Sequence, residues 1–349
     1  IFMDVILDCY FDDVFCQLER NYFMARYKRR QLVDYLNTVI KGYVRGEGCA
    51  EATAVACAVM AAIRYHDNSK TSNGEVCLMG KFHNILYIAT KLCYDWKLKD
   101  NTIVAHLLND IYHCEHTFER LFVGAILGTR VTNLVSGWKS DFENPEENLS
   151  AIEYFLNHAT EAKLEYENNG RKTRFIDISM ESYTRTQPLR IAAQFGKADV
   201  LLLLLRYGAS IMFDYETGEL PVERPLIQFC RVHVSNSPLN QIEGPFSCLK
   251  MLIRAVPTMA TLPSDSFDGE VRVCIGRDTC GLSTLYVHPK LLQEGMIPPS
   301  RSGLIPPELK HLSRCAIRNV LGKNWQLPLG IRSLHIPTSL QDYLDLLED

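Results

Sequence analysis

At 349 residues, 47% hydrophobic and 22% charged, with mean hydropathy −0.07, the chain has core enough for about two or three structural units and is neither disordered nor fibrous. A net charge of −4 and a pI near 6.2 leave no electrostatic footprint for nucleic acid. None of the twelve cysteines forms a Cys-x-x-Cys pair, and Cys57, Cys93, Cys230, Cys248 and Cys315 lie within helical patterns as small apolar residues do, which reads as reduced thiols of the cytosol or nucleus.

The first segment, Ile1 to Asp8, is interrupted by acids and lacks a basic start, so it does not read as a signal peptide. Arg26-Tyr27-Lys28-Arg29-Arg30 lies between Asp12/Asp13 and Asp34 and reads as a solvated helix face, not a phosphate track. Ala50 to Ile63, alanine-rich with Val55, Val59 and Met60, predicts a tightly packed buried helix, shorter than the ~18 apolar residues of a membrane span. Asp67 to Lys70 and Ser72-Asn73-Gly74 read as a polar break after it. Phe82 to Trp96 and Ile103 to Tyr112 have helical periodicity, and Thr117 to Val135 with the segment after it reads as a degenerate ankyrin-like pair. Asn144-Pro145 predicts a further helix start with Leu149, Ile152, Phe155 and Leu156 as its stripe. His113 and His116 share the i, i+3 spacing of metal ligands on one face, but no second pair stands nearby in sequence, so the segment reads as a polar helix end. Cys274 and Cys280 in a Gly-rich loop are an equally weak zinc candidate. No metal or cofactor site is assigned.

From Gln187 the pattern sharpens. Pro188 suits a helix start, Ala192 and Ala193 allow close helix approach, Gly196 turns the chain, Val200 to Leu205 is a buried helix, and Gly208 ends it. Gln187-Pro188-Leu189-Arg190-Ile191-Ala192-Ala193 with its continuation is similar to an ankyrin repeat, with Gln187 and Arg190 replacing the usual threonine and histidine. Arg224 to Cys230 and Cys248 to Ala255 resemble the two helices of a stretched second unit around an inserted loop at 235–241. Two repeats are too few to cover their own apolar faces. The resemblance therefore implies that residues 1–183 supply degenerate helical repeats. Residues 257–305, rich in Pro, Gly and Ser, read as a connector with a short strand at Val271 to Ile275.

The last segment carries the most specific signal. Leu309, Leu312, Ser313, Ala316, Ile317, Val320 and Leu321 hold the spacing of one helical face, with Lys310, His311, Arg314, Arg318 and Asn319 opposite. Pro306 and Pro307 mark the start and Gly322 a left-handed end. Leu340, Tyr343, Leu344 and Leu347 repeat the spacing behind Pro337 and a Thr338/Ser339 pair suited to capping. Leu309 to Arg318 resembles the Elongin-binding half of a SOCS box, and Leu334-His335-Ile336-Pro337 with Leu340, Tyr343 and Leu344 its cullin-binding half. Ser313 stands where that family has cysteine, and His335 where it has the first proline of its turn.

Taken together, the chain resembles a divergent ankyrin-repeat and SOCS-box protein. This implies an all-α fold: an irregular ankyrin-like helical solenoid (1–183 helical, 184–256 ankyrin repeats, 257–305 connector) and a SOCS-box helical module at 306–349. It also implies a non-catalytic substrate receptor of a cullin-RING ubiquitin ligase. Leu309, Leu312, Ser313, Ala316, Ile317 and Leu321 would face Elongin B/C; Leu334, Ile336, Pro337, Leu340, Tyr343 and Leu344 would face cullin-5 with its RING subunit. The repeats would hold a protein substrate, with no part for nucleic acid or membrane. No catalytic motif of the hydrolase, P-loop, metalloprotease or dinucleotide type is present. The alternative is an ankyrin scaffold without ligase activity whose terminal helices only cap it.

Overall fold

The computed structural model of the protein describes residues 2–18, 25–128, 139–168, 170–183, 185–211, 243–257, 260–261, 275–277, 283–287, 295, 297–302 and 304–349. It divides into two compact units, Ile1–Tyr166 and Glu167–Asp349. The fold is predominantly helical, as expected, with short strands added.

The first unit runs α1 (Phe2–Cys16), α2 (Arg26–Glu47), α3 (Glu51–Ser72), α4 (Asn84–Asp95), α5 (Asn101–Glu115), α6 (Glu119–Leu127) and α7 (Pro145–Glu161). Its centre is α3, which packs against α1, α2, α4 and α5. Ala54, Ala58, Ala61 and Ala62 are fully buried there, and their small size lets several helices approach one. Helix α7 starts as its sequence predicts, with Pro145 in the first turn and the Asn144 side chain accepting from the Glu147 N–H at 2.7 Å. Helix α6 crosses it at Gly124, where an added Cβ would come within 1.9 Å of the Asn148 Oδ1.

Two expectations fail in this unit. Asp67 to Lys70 do not break the helix: α3 continues to Ser72, since Asp67, Ser69 and Lys70 lie at its partly solvated positions and Ser69 Oγ donates back to the Tyr65 carbonyl at 2.8 Å. The break comes only at Asn73-Gly74. Nor is Arg29 solvated. It is 1% exposed, with its Nε donating to both oxygens of buried Asp141 at 2.9 Å and its Nη2 to the Lys139 carbonyl at 2.9 Å. The partner lies 112 residues away, beyond the reach of a local charge pattern.

The second unit contains the helix pair α8 (Pro188–Gln194) and α9 (Ala198–Arg206), with α10 (Glu243–Ala255) packed on α9. Pro188 occupies the first turn of α8, Ala192 and Ala193 are fully buried, and Lys197 N–H closes the turn on the Ala192 carbonyl at 2.9 Å. Gly196 has φ +64°, and a Cβ there would meet the Gly244 backbone and the Pro245 ring at 3.1 Å. Only glycine meets both conditions. These are the features of an ankyrin-type pair. The second helix expected of the stretched repeat, Cys248 to Ala255, falls within α10, while its first helix, Arg224 to Cys230, and the inserted loop lie outside the described residues.

Strands β1 (Glu165–Asn168) and β2 (Arg171–Arg174) make a two-stranded sheet. Three more, β3 (Ala260–Thr261), β4 (Ile275–Arg277) and β5 (Ser283–Val287), form a sheet in the order β3-β5-β4, with β5 parallel to β3 and antiparallel to β4. The expected strand at Val271 to Ile275 meets β4 only at Ile275, and 271–274 lie outside the described residues, as do Cys274 and Cys280. Strand β5 was unexpected. Its Thr284, Tyr286 and Val287 are strand formers whose signal the surrounding Gly and Ser mask.

Candidate functional site

Residues 306–349 fold as α11 (Leu309–Lys323), α12 (Leu329–Arg332) and α13 (Thr338–Leu344). Among them Leu321, Leu327, Ile331 and Leu344 form a small core, with Leu334 and Ile336 partly buried against it. The boundaries shift from those expected. Helix α11 begins at Leu309 with Glu308 as its cap residue; Glu308 is bonded by Ser300 Oγ at 2.9 Å and paired with Arg301. Gly322 is not a left-handed terminus: the helix runs through it and the left-handed residue is Trp325, at φ +59°. Instead Gly322 gives room to Leu327, and its carbonyl accepts from Arg174 at 2.7 Å. Thr338 and Ser339 do not cap α13, whose cap residue is Pro337. The short helix α12 carries no long-range sequence pattern and was not foreseen.

The orientation of α11 is the central observation. An amphipathic helix ordinarily buries its apolar stripe. Here His311 and Arg314 are fully buried and Arg318 nearly so, whereas Leu309 is 80% exposed, Val320 59%, and Leu312 and Ile317 each 38%. Ser313 and Ala316 are exposed on the same outward side.

The charged face is inward because it meets helix ends. The last carbonyls of a helix lack intrahelical partners and carry the negative end of its dipole. Arg318 Nη2 donates to the Leu205 carbonyl at the end of α9, and its Nη1 to the Leu344 carbonyl at the end of α13 at 2.8 Å. His311 Nε2 donates to the Val256 carbonyl just beyond α10 at 2.8 Å. Arg314 donates to His311 Nδ1 at 3.0 Å and to the Glu348 carbonyl at 3.2 Å, and stacks its guanidinium 4.0 Å from the Tyr343 ring centre. From α9, Arg206 pairs with buried Asp345 at 2.8 Å. Burial lowers the Arg318 pKa to about 10, opposed by Asp345, so it is still charged at neutral pH. One face of α11 is thus committed to the fold and the other is free to meet a partner.

The expected contact residues divide accordingly. Leu309, Leu312, Ser313, Ala316 and Ile317 are together on the outward face, but Leu321 is 7% exposed and belongs to the module's core. In the second set Pro337 and Leu340 are exposed, Leu334 and Ile336 half-buried, and Tyr343 and Leu344 buried, the first under Lys310 and Arg314 and the second in the core. Leu321, Tyr343 and Leu344 are therefore residues that hold the module's shape, a distinction helical spacing alone does not draw. Sequence reasoning also missed Gln341. Its Nε2 donates to the Leu334 carbonyl at 3.0 Å and the Ile336 carbonyl at 3.4 Å, bracketing His335 and holding the turn that the absent proline would have stiffened. Upstream, His113 and His116 do not converge on a common point: His113 is exposed with Nδ1 on the Asn109 carbonyl at 2.7 Å, and His116 is the left-handed end of α5.

Among the described residues no helix is long and apolar enough to cross a membrane. The SOCS box family model matches residues 305–345. Ankyrin repeat and SOCS box protein 17 of Mus musculus is 29% identical over 164 residues, which is 46% of this chain and 49% of the relative. Its counterparts in Bos taurus and Homo sapiens are 29% and 28% identical over 163 and 162 residues, with the same shares covered. The chain thus spans about half the length of the curated relatives it matches. No solved structure matches it significantly. With the ankyrin-type pair α8–α9 preceding a matched SOCS box, the chain is similar to the ankyrin-repeat and SOCS-box proteins.

Proposed function

We propose that the chain is the substrate-recognition subunit of a cullin-RING ubiquitin ligase, itself non-catalytic. The outward face of α11 docks in a groove on Elongin C of the Elongin B/C pair, a helix-in-groove mode anchored by Leu309. Leu334, Ile336, Pro337 and Leu340 face cullin-5 with its RING subunit, and the ankyrin region holds a protein substrate. Catalysis is borrowed: the receptor raises the effective concentration of substrate lysines near a ubiquitin-charged enzyme. The observation that carries this reading is the exposure of Leu309, Leu312, Ile317 and Val320 on a helix whose charged side is the buried one.

The rival reading, a scaffold capped by its last helices, is favoured by the bonds from α11 to the ends of α9 and α10. Those bonds support a capping contact and are compatible with docking on the opposite face. Deletion of 306–349 does not separate the readings, since it strips carbonyl partners from the repeats in either case. Substitution on the outward face does. The full chain is co-expressed with Elongin B/C and tested for one-to-one co-purification, with Leu309→Arg as the control. Binding by the parent and loss in a folded variant support the receptor; failure of the parent to bind leaves the capped scaffold.

A further inference from the structure

We propose that the first unit binds one zinc ion through His66, Cys77, His83 and Cys114, a structural site independent of the docking face. His66 lies near the end of α3, Cys77 and His83 in the segment joining α3 to α4, and Cys114 in the last turn of α5. The four donor atoms lie within 4.8 Å of one another. His66 Nε2 is 3.3 Å from Cys77 Sγ and 3.5 Å from Cys114 Sγ, and His83 Nδ1 is 3.5 Å from Cys77 Sγ. Zinc bonds of about 2.0–2.1 Å to nitrogen and about 2.3 Å to sulfur, at a tetrahedral angle, set nitrogen and sulfur about 3.5 Å apart. The observed separations therefore suit a shared ion.

The outer groups agree. An imidazole that ligates a metal characteristically presents its other nitrogen to a carboxylate or carbonyl, which fixes the ring and its tautomer. His66 directs Nδ1 to Asp67 Oδ1 at 3.2 Å, and His83 directs Nε2 to Glu115 Oε1 at 2.5 Å. Glu115 is held in turn by Tyr87 Oη at 2.8 Å and by Arg120 at 3.3 Å. The two rings are 1% and 0% exposed, with both thiols half-buried. Two thiolates balance a divalent cation, and a sulfur and imidazole set of four selects zinc over magnesium or calcium. With four protein donors the coordination sphere is closed. Its effect is to tie the α3–α4 segment to the ends of α3 and α5, a stretch that otherwise has little regular structure.

Cys77 and Cys114 could instead join as a disulfide, which would leave both imidazoles without a common ligand. The test separates these outcomes. Full-length protein purified under reducing conditions is assayed for metal by elemental mass spectrometry, then depleted and titrated with cobalt. One zinc per chain, and a tetrahedral cobalt spectrum with thiolate charge-transfer bands saturating at one equivalent, are expected. Cys77→Ser and Cys114→Ser should each lower the bound zinc at least tenfold, while the double variant His113→Ala/His116→Ala should retain it. Less than a tenth of an equivalent in the parent, a cobalt spectrum without thiolate bands, or retention by both serine variants overturns the proposal. Should the serine variants fail to fold, the cobalt spectrum of the parent decides the matter.

Discussion

Truncating Leu309 to Ala tests the outward face of α11 most directly. The substitution removes three carbons, worth about 0.8 kcal/mol each when taken from water. With Leu309 80% exposed in the free chain, about four-fifths of that value is unclaimed by folding, leaving about 2 kcal/mol for a partner that covers it fully. The expected result is about a 30-fold rise in the Kd for Elongin B/C, with unfolding free energy unchanged within about 0.5 kcal/mol. Titration calorimetry measures the first and chemical denaturation the second. Lys310→Ala is the matched control: its ammonium lies 3.9 Å from the Tyr343 ring centre, on the side away from the outward face, so binding should change little. A loss of stability as large as the loss of affinity, or equal small losses of affinity from both substitutions, would refute the reasoning.

Leu321→Ala should behave in the opposite way, costing about 2–4 kcal/mol of stability because Leu321 closes the core with Leu327, Ile331 and Leu344; a stability change under about 1 kcal/mol on denaturation would contradict that placement. In the first unit, Asp141→Asn leaves the Arg29 charge buried without its counter-charge and should cost about 3–5 kcal/mol, whereas the joint replacement Arg29→Met/Asp141→Leu should cost much less. Additive losses in the double variant would show that the pair is not coupled. His311 accepts from Arg314 and donates to Val256, which requires a neutral ring, and its pKa is lowered, by burial first and by Arg301 and Arg314 after it, against the Val256 bond and Glu308. Its contribution is therefore complete above the ordinary histidine value of about 6.5 and is lost as pH falls through the lower folded value. Protease protection of 306–349 should decline on acidification in the parent and decline less in His311→Gln; parallel profiles would remove His311 as the cause.

Local spacing was enough to determine much of this protein. Proline, small residues and glycine at fixed offsets located α8 and α9, and the i, i+3, i+4 recurrence located α11 and α13, because these signals depend on residues within one or two turns. The grouping of Leu309, Leu312, Ser313, Ala316 and Ile317 on one face followed from helical geometry alone. Which face would be buried did not, because that depends on the carbonyls of Leu205, Val256 and Leu344, brought together by the chain's path and able to satisfy Arg318 and His311. The same limit explains why Leu321 and Tyr343 looked like contact residues, why Arg29 looked solvated with its partner 112 positions away, and why Gln341 went unnoticed. It holds most clearly for His66, Cys77, His83 and Cys114, whose spacing matches no local metal motif. Only the packing of α3 against α4 and α5 makes those four side chains neighbours.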